Sequence, residues 1–158
     1  MKKKIILILL SYLIIDFSIS NMLFKKTSFW EYEDYVPKYW RISSQIYHHD
    51  LMPNIDVTEQ WGGKFKKRLI TNSLGFRDFT NRNVLKKNNK KRILLIGDSF
   101  IEGAGYDYAY TIGGLLQNYL GEKFEVLNSA VGSYSPSIYF FKTKHFLSEG
   151  YQFDYALI

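Results

Sequence analysis

The 158-residue sequence contains no cysteine. That excludes a disulfide scaffold, a thiolate-ligated zinc or iron–sulfur centre, and a thiol nucleophile. It does not fix the redox compartment. The sequence also lacks an internal repeat, and its glycines match neither G-x-G-x-x-G nor a phosphate loop ending in Gly-Lys-Ser/Thr. No recognition motif accompanies its basic residues, so nucleic acid is not expected as a partner. What remains is a chain of 46% hydrophobic and 23% charged residues, the composition of a folded protein. Its length allows one domain and an attachment. Aromatic residues are abundant, with 13 Tyr and 12 Phe, and the formal net charge is +6.

That charge is clustered. Lys2, Lys3 and Lys4 open the chain, Lys64 to Arg68 holds four basic residues in five, and Arg82 to Arg92 contains no acid. The last run, with Asn88-Asn89 inside it, reads as a solvated linker. The lysine triplet precedes an apolar stretch, Ile5 to Ile15, interrupted only by Ser11 and Tyr12. A basic start and an apolar run describe either a signal peptide cleaved after Ser20 or an uncleaved anchor to Phe24. Ser-Ile-Ser is a poor cleavage site, so the anchor is the favoured reading. Residues 1–24 are then a membrane helix with its N-terminus in the cytoplasm, and the remaining chain lies on the extracytoplasmic side.

Residues 25–91 read as an aromatic-rich extension followed by the basic linker. Pro37 is placed to begin a short helix through Gln45. His48-His49 is a tempting metal pair, but adjacent side chains point in different directions on a helix or strand, and both are read as loop residues. Neither a metal nor a cofactor is expected. Pro53-Asn54 and Gly62-Gly63 are turn signals, and Phe65 to Thr71 has the composition of an exposed strand.

From Arg92 the pattern changes. Ile93-Leu94-Leu95-Ile96 is continuous and apolar, as in a parallel strand buried on both faces. Ile112, Leu115, Leu116, Tyr119 and Leu120 fall at helical spacing, with Gly121 as the stop. Phe124 to Val131 is a second strand, Pro136 opens a second helix ended by Gly150, and Asp154 to Ile158 begins a third strand. Alternation of strand and helix predicts an α/β domain over 92–158, with a parallel sheet of about three strands. A sheet ending on an apolar strand is an unprotected edge. The expectation is a longer protein, or a partner chain that completes the sheet.

In such sheets the working crevice lies beyond the carboxyl ends of the strands. Two loops fall there: Gly97-Asp98-Ser99 to Gly103, and Asn128 to Pro136. A hydroxyl directly after a buried strand is placed to act as a nucleophile, and neighbouring amides can stabilise an oxyanion. A nucleophile elbow, G-x-S-x-G, starts at Gly97 but has Ile101 in its last place. The alternative is that Asp98 and Ser99 only cap a turn.

Arg92 to Gly103, RILLIGDSFIEG, resembles the first conserved block of the SGNH hydrolases, also called GDSL-type esterases. Asn128 to Pro136 resembles the second block, and Pro53-Asn54, Trp61 and Thr71-Asn-Ser-Leu-Gly-Phe-Arg-Asp78 resemble the segment before the first block in membrane-anchored bacterial members. The resemblance implies a flavodoxin-like three-layer fold and a serine esterase or O-acyltransferase, with acylated glycans as a substrate class. It implies Ser99 as nucleophile and its own N–H as one oxyanion donor. A second donor would come from the second block, where the family's glycine falls at Ser133, with Gly132 just before it. Gly97, Asp98 and Asn128 are supporting residues. The family's third oxyanion donor, an Asn or its substitute, follows the third strand, and its catalytic Asp and His lie close together near the C-terminus; all are absent from these 158 residues, so this chain alone is expected to be nearly inactive. His145, with no Asp in the family's arrangement, is not expected to be the base. The competing expectation is a non-catalytic, membrane-tethered glycan-binding or degenerate hydrolase-like module, with Trp61 and the tyrosines as contacts.

Overall fold

The computed structural model describes residues 2–26, 40–61 and 65–158, with the side chains of Lys2, Lys3, Ile5, Leu23, Phe24, Lys25, Lys26, Trp61 and Phe65 outside the description. The aromatic cluster from Trp30 to Tyr39, Pro37 and the Gly62-Gly63 turn lie outside the described residues. The chain forms two compact units, Met1–Tyr35 and Val36–Ile158.

In the first unit, α1 spans Lys2–Lys26. Its apolar residues, among them Leu7, Leu10, Ile14 and Phe17, are exposed. Ser11 returns its hydroxyl to the Leu7 carbonyl at 2.8 Å, which satisfies a polar group inside an apolar helix. Among the described residues no helix is long and apolar enough to cross a membrane. The expected spanning segment is therefore a helix without structural support for a span.

The second unit is a mixed α/β structure. Two hairpins come first: β1 (Arg41–Ser44) pairs antiparallel with β2 (His48–Leu51), and β3 (Asp56–Trp61) with β4 (Phe65–Ile70). The helix expected from Pro37 to Gln45 is thus replaced over Arg41–Ser44 by a strand. The Arg41↔Leu51 and Ile42↔Asp50 pairing supplies the hydrogen bonds that local propensity did not anticipate.

A three-stranded parallel sheet follows, in the order β6-β5-β7. Here β5 is Lys91–Leu95, β6 Phe124–Asn128 and β7 Tyr155–Leu157. The short turn α2 (Ser99–Glu102) and the helix α3 (Ile112–Leu120) connect β5 to β6, and α4 (Pro136–Ser148) connects β6 to β7. Thr111 caps α3 by accepting the Gly114 N–H, and Pro136 opens α4 where a missing N–H is harmless. Both helices match the sequence reading closely.

The central strand alternates its side chains between two cores. Leu94 and Ile96 join Leu127, Leu74, Phe76, Val84 and Phe146 of α4. Ile93 and Leu95 join Val126, with Leu116 and Leu120 of α3 packed against them. A third cluster, Leu51, Leu69, Val131 and Tyr134, binds both hairpins to the loop after β6. Full burial on both faces explains the unbroken apolar run of β5.

The basic segment before β5 is only partly solvated. Lys87 and Lys90 are exposed, but Arg92 is 2% exposed. Its Nε donates to Glu125 of β6 at 2.5 Å, and its remaining nitrogens donate to the Lys86 and Leu85 carbonyls. Arg82 bridges Glu125 and Asp78. Burial would raise the Glu125 carboxyl, but the hydrogen bonds and charges of Arg82 and Arg92 more than offset this and hold it below its ordinary value of 4.5. A depressed carboxyl stabilises the fold fully above its unfolded value, and that contribution is lost as pH falls through the folded value. Urea denaturation of the wild type and Glu125→Gln should give a constant stability difference above about pH 5, shrinking as pH drops further. A difference that persists undiminished at the acid end would contradict this assignment.

Candidate active site

The end of β5 runs into Gly97, where a side chain is sterically excluded. A Cβ there would lie 2.4 Å from Ile101 Cγ1. The next turn can therefore fold back tightly onto the strand end. Asp98 caps that turn: its Oδ1 accepts the Phe100 N–H at 3.0 Å, and its carbonyl accepts the Glu102 N–H at 2.8 Å. Ser99 is the first residue of α2 and is half-buried, while the adjacent Phe100 is exposed. The capping role expected of Asp98 is present, and it leaves Ser99 uncommitted. Among the described residues the Ser99 hydroxyl has no hydrogen-bond partner.

The loop after β6 meets this turn. Asn128, fully buried, donates from Nδ2 to the Ile101 carbonyl at 2.7 Å and accepts the Ala130 N–H. Ser129 returns both its N–H and its hydroxyl to the Leu95 carbonyl. These bonds bring Gly132 beside the serine: a Cβ on Gly132 would stand 3.6 Å from Ser99 Cβ. Ser133 has φ +67°, the left-handed region that glycine adopts without strain. Ser133 thus takes up the backbone conformation for which a glycine would be the easier choice.

Several residues that sequence reasoning did not single out hold this arrangement. Glu102, 1% exposed, accepts the Gly132 N–H and a fork from Arg41 of β1, with Nη2 to Oε1 at 2.8 Å and Nη1 to Oε2 at 3.3 Å. The Gly132 N–H, one of the expected oxyanion donors, is therefore engaged by a carboxylate. Arg77 is buried with its guanidinium spread over the carbonyls of Glu102, Gly103 and Tyr106 at 2.9, 2.6 and 2.7 Å. Burial lowers its pKa, against the pull of Glu102 and Glu59. Arg77 belongs to the Thr71–Asp78 segment, whose Asn72 accepts the N–H groups of Leu74 and Phe76 and donates to Asp78. Its polar residues serve the turn itself and the rear of α2.

The histidines behave differently from expectation. His48 and His49 lie in β2, with their Nδ1 atoms 2.7 Å apart, and His49 Nε2 lies 2.9 Å from the Gly132 carbonyl oxygen. His48 has φ +83°, which breaks the strand alternation that would have sent the two rings to opposite faces. Among the described residues no group of three or more His, Cys, Asp or Glu is arranged to hold a metal ion. His145 packs against Tyr47 and Phe146, with ring centroids 5.8 and 5.2 Å away.

Beneath the loop lies a buried ion pair. Lys142 of α4 donates to Asp50 of β2 at 2.7 Å and to the Tyr134 hydroxyl at 3.1 Å. Its ammonium also faces the rings of Tyr47, Phe76 and Tyr134 at 5.0–5.4 Å. Burial lowers the Lys142 pKa, with Asp50 pulling the other way. Tyr134 donates to the His49 carbonyl at 2.6 Å, so the pair, the loop and β2 share one polar network.

No protein-family model matches the chain, and no curated protein or solved structure matches it either. The class defined by the structure is therefore a mixed α/β protein with a three-stranded parallel sheet and two small antiparallel sheets.

Removing one member of a buried pair strands the other charge. Asp50→Ala should destabilise the protein by about 3–5 kcal/mol in urea denaturation, and Asp50→Leu combined with Lys142→Met should recover most of that loss. Equal losses in the single and double variants would show that the pair is not the origin of the effect.

Proposed function

We propose that the protein is a serine hydrolase of the SGNH type, an esterase or O-acyltransferase that acts on ester bonds, with acylated glycans as the favoured substrate class. The observation that carries this reading is a half-buried Ser99, whose hydroxyl has no hydrogen-bond partner among the described residues, at the first position of the turn that Asp98 caps beyond the carboxyl end of β5 and against Gly132 of the next loop. The RILLIGDSFIEG and TNSLGFRD segments support it by resemblance. In this reaction the Ser99 oxygen attacks the ester carbonyl carbon, a histidine base takes its proton, and the alcohol leaves with that proton. The acyl-enzyme then passes its acyl group to water or to a sugar hydroxyl. The resemblance places the base and its carboxylate outside residues 1–158.

The described histidines are engaged elsewhere, His48 and His49 with each other and the Gly132 carbonyl and His145 against Tyr47 and Phe146, which favours a second reading, a non-catalytic or degenerate hydrolase-like module that binds glycan. A fluorophosphonate probe separates the two. The intact gene product should be labelled at Ser99, with labelling abolished in Ser99→Ala, while residues 1–158 alone should hydrolyse p-nitrophenyl acetate negligibly. Absence of label from the intact wild-type product would overturn the hydrolase reading.

We also propose that α1 attaches the protein to the cytoplasmic membrane, with Val36–Ile158 on the extracytoplasmic side. The support is the basic Lys2-Lys3-Lys4 start and the exposed apolar side chains that follow it. The protein should remain in the membrane pellet after alkaline carbonate extraction, and deletion of residues 2–26 should release it. Extraction of the undeleted protein into the supernatant would refute the attachment.

A further inference from the structure

We propose that His49 is a positioning residue for the reaction at Ser99, acting through the peptide unit that joins Gly132 to Ser133. The inference rests on the hydrolase reading above. The Gly132 carbonyl and the Ser133 N–H belong to one planar peptide unit and point in opposite directions from it. Whatever fixes the carbonyl therefore aims the N–H. The partner that fixes the carbonyl is His49, whose Nε2 lies 2.9 Å away.

A carbonyl oxygen only accepts, so His49 Nε2 must carry the proton. In the neutral ring Nδ1 is then an acceptor, and it faces His48 Nδ1 at 2.7 Å. His48 accordingly donates from Nδ1, and the two rings form an ordered relay ending on the Gly132 oxygen. The adjacent Tyr134 ring meets His49 edge to face at 5.0 Å, and the Tyr134 hydroxyl holds the His49 carbonyl. The imidazole is thus restrained at its ring and at its backbone.

The other side of Gly132 is fixed independently, because its N–H is given to Glu102, itself held by Arg41. With that amide committed, the adjacent amide of Ser133, the position that the resemblance makes the loop's donor, is the one we assign to an oxyanion at Ser99. Ser133 adopts φ +67°, a conformation unfavourable for a side chain, and the neighbouring peptide needs a restraint to keep it there. A hydrogen bond to the carbonyl also polarises the N–H of the same peptide unit and makes it a better donor. The β1–β2 hairpin, with Arg41 on one strand and His49 on the other, therefore sets the orientation of the loop's donor.

The test uses the intact gene product and the rate of fluorophosphonate labelling at Ser99. Loss of a whole oxyanion donor lowers rates on the order of 10²–10³-fold, and a donor left in place but poorly aimed should lose less. His49→Ala is expected to lower the maximal labelling rate about tenfold, with the half-saturating probe concentration unchanged, and His49→Gln, which retains a side-chain N–H, to restore most of it. A wild type that labels at Ser99 alongside a folded His49→Ala that labels equally fast overturns the inference and leaves the hydrolase reading intact. An unlabelled wild type removes the hydrolase reading and this role with it. Should His49→Ala fail to fold, the ring nitrogen chemical shifts of wild-type His49 decide. In mildly alkaline buffer, where free imidazole is neutral, the Nε2–H tautomer is expected. The Nδ1–H tautomer would leave two acceptors facing each other and overturn the proposal.

Discussion

The buried carboxylate of Glu102 is the constraint on which the candidate site depends. It lies one helical turn after Ser99, accepts the Gly132 N–H of the loop after β6, and takes the Arg41 guanidinium of the first hairpin. Three chain segments far apart in sequence thus converge on one acid. A buried carboxylate without such partners would be strongly unfavourable, so the pairing acts as a selection for this one arrangement. Arg77 works from the opposite direction, donating hydrogen bonds to the carbonyls at the end of the same turn. The short turn that presents Ser99 has its own cap and backbone hydrogen bonds, and these external partners tie it to the rest of the fold.

The hairpins before the parallel sheet are consequently part of the site's framework. Arg41 and His49 lie on the two strands of one hairpin and contact the two ends of Gly132 through Glu102 and directly. Asp50, the next residue, is tied through Lys142 to α4. The apolar cluster of Leu51, Leu69, Val131 and Tyr134 excludes water around these bonds, which strengthens each of them. The segment that reads as an extension is in physical terms a wall of the loop beside Ser99.

Much of the α/β portion was legible from residue order. The apolar run Ile93–Ile96, the helix from Ile112 to Leu120 and the Pro136 helix start all follow local rules that tertiary contacts do not override. The tight turn at Gly97, Asp98 and Ser99 was legible too, because a glycine and a capping acid after a buried strand mark a turn. The β1 strand was not, since its four residues carry no alternation that marks a strand. The solvated reading of the basic linker was sound for its lysines and failed for Arg82 and Arg92. Their partner Glu125 lies some 33 residues beyond Arg92, and no local pattern announces it.

The sequence by itself determined the secondary elements of the parallel sheet, the position of the hydroxyl just beyond its central strand, and the basic-then-apolar character of the first helix. These depend on spacing along the chain, which is written in residue order. Only the tertiary structure decided which amides and carboxylates surround that hydroxyl. The adjacent His48 and His49 acquire a shared relay through one left-handed φ angle, Glu102 becomes a buried anchor through contacts with Arg41 and Gly132, and Lys142 becomes a paired core charge. Each of these roles belongs to a contact between distant segments, and a contact of that kind exists only once the chain has folded.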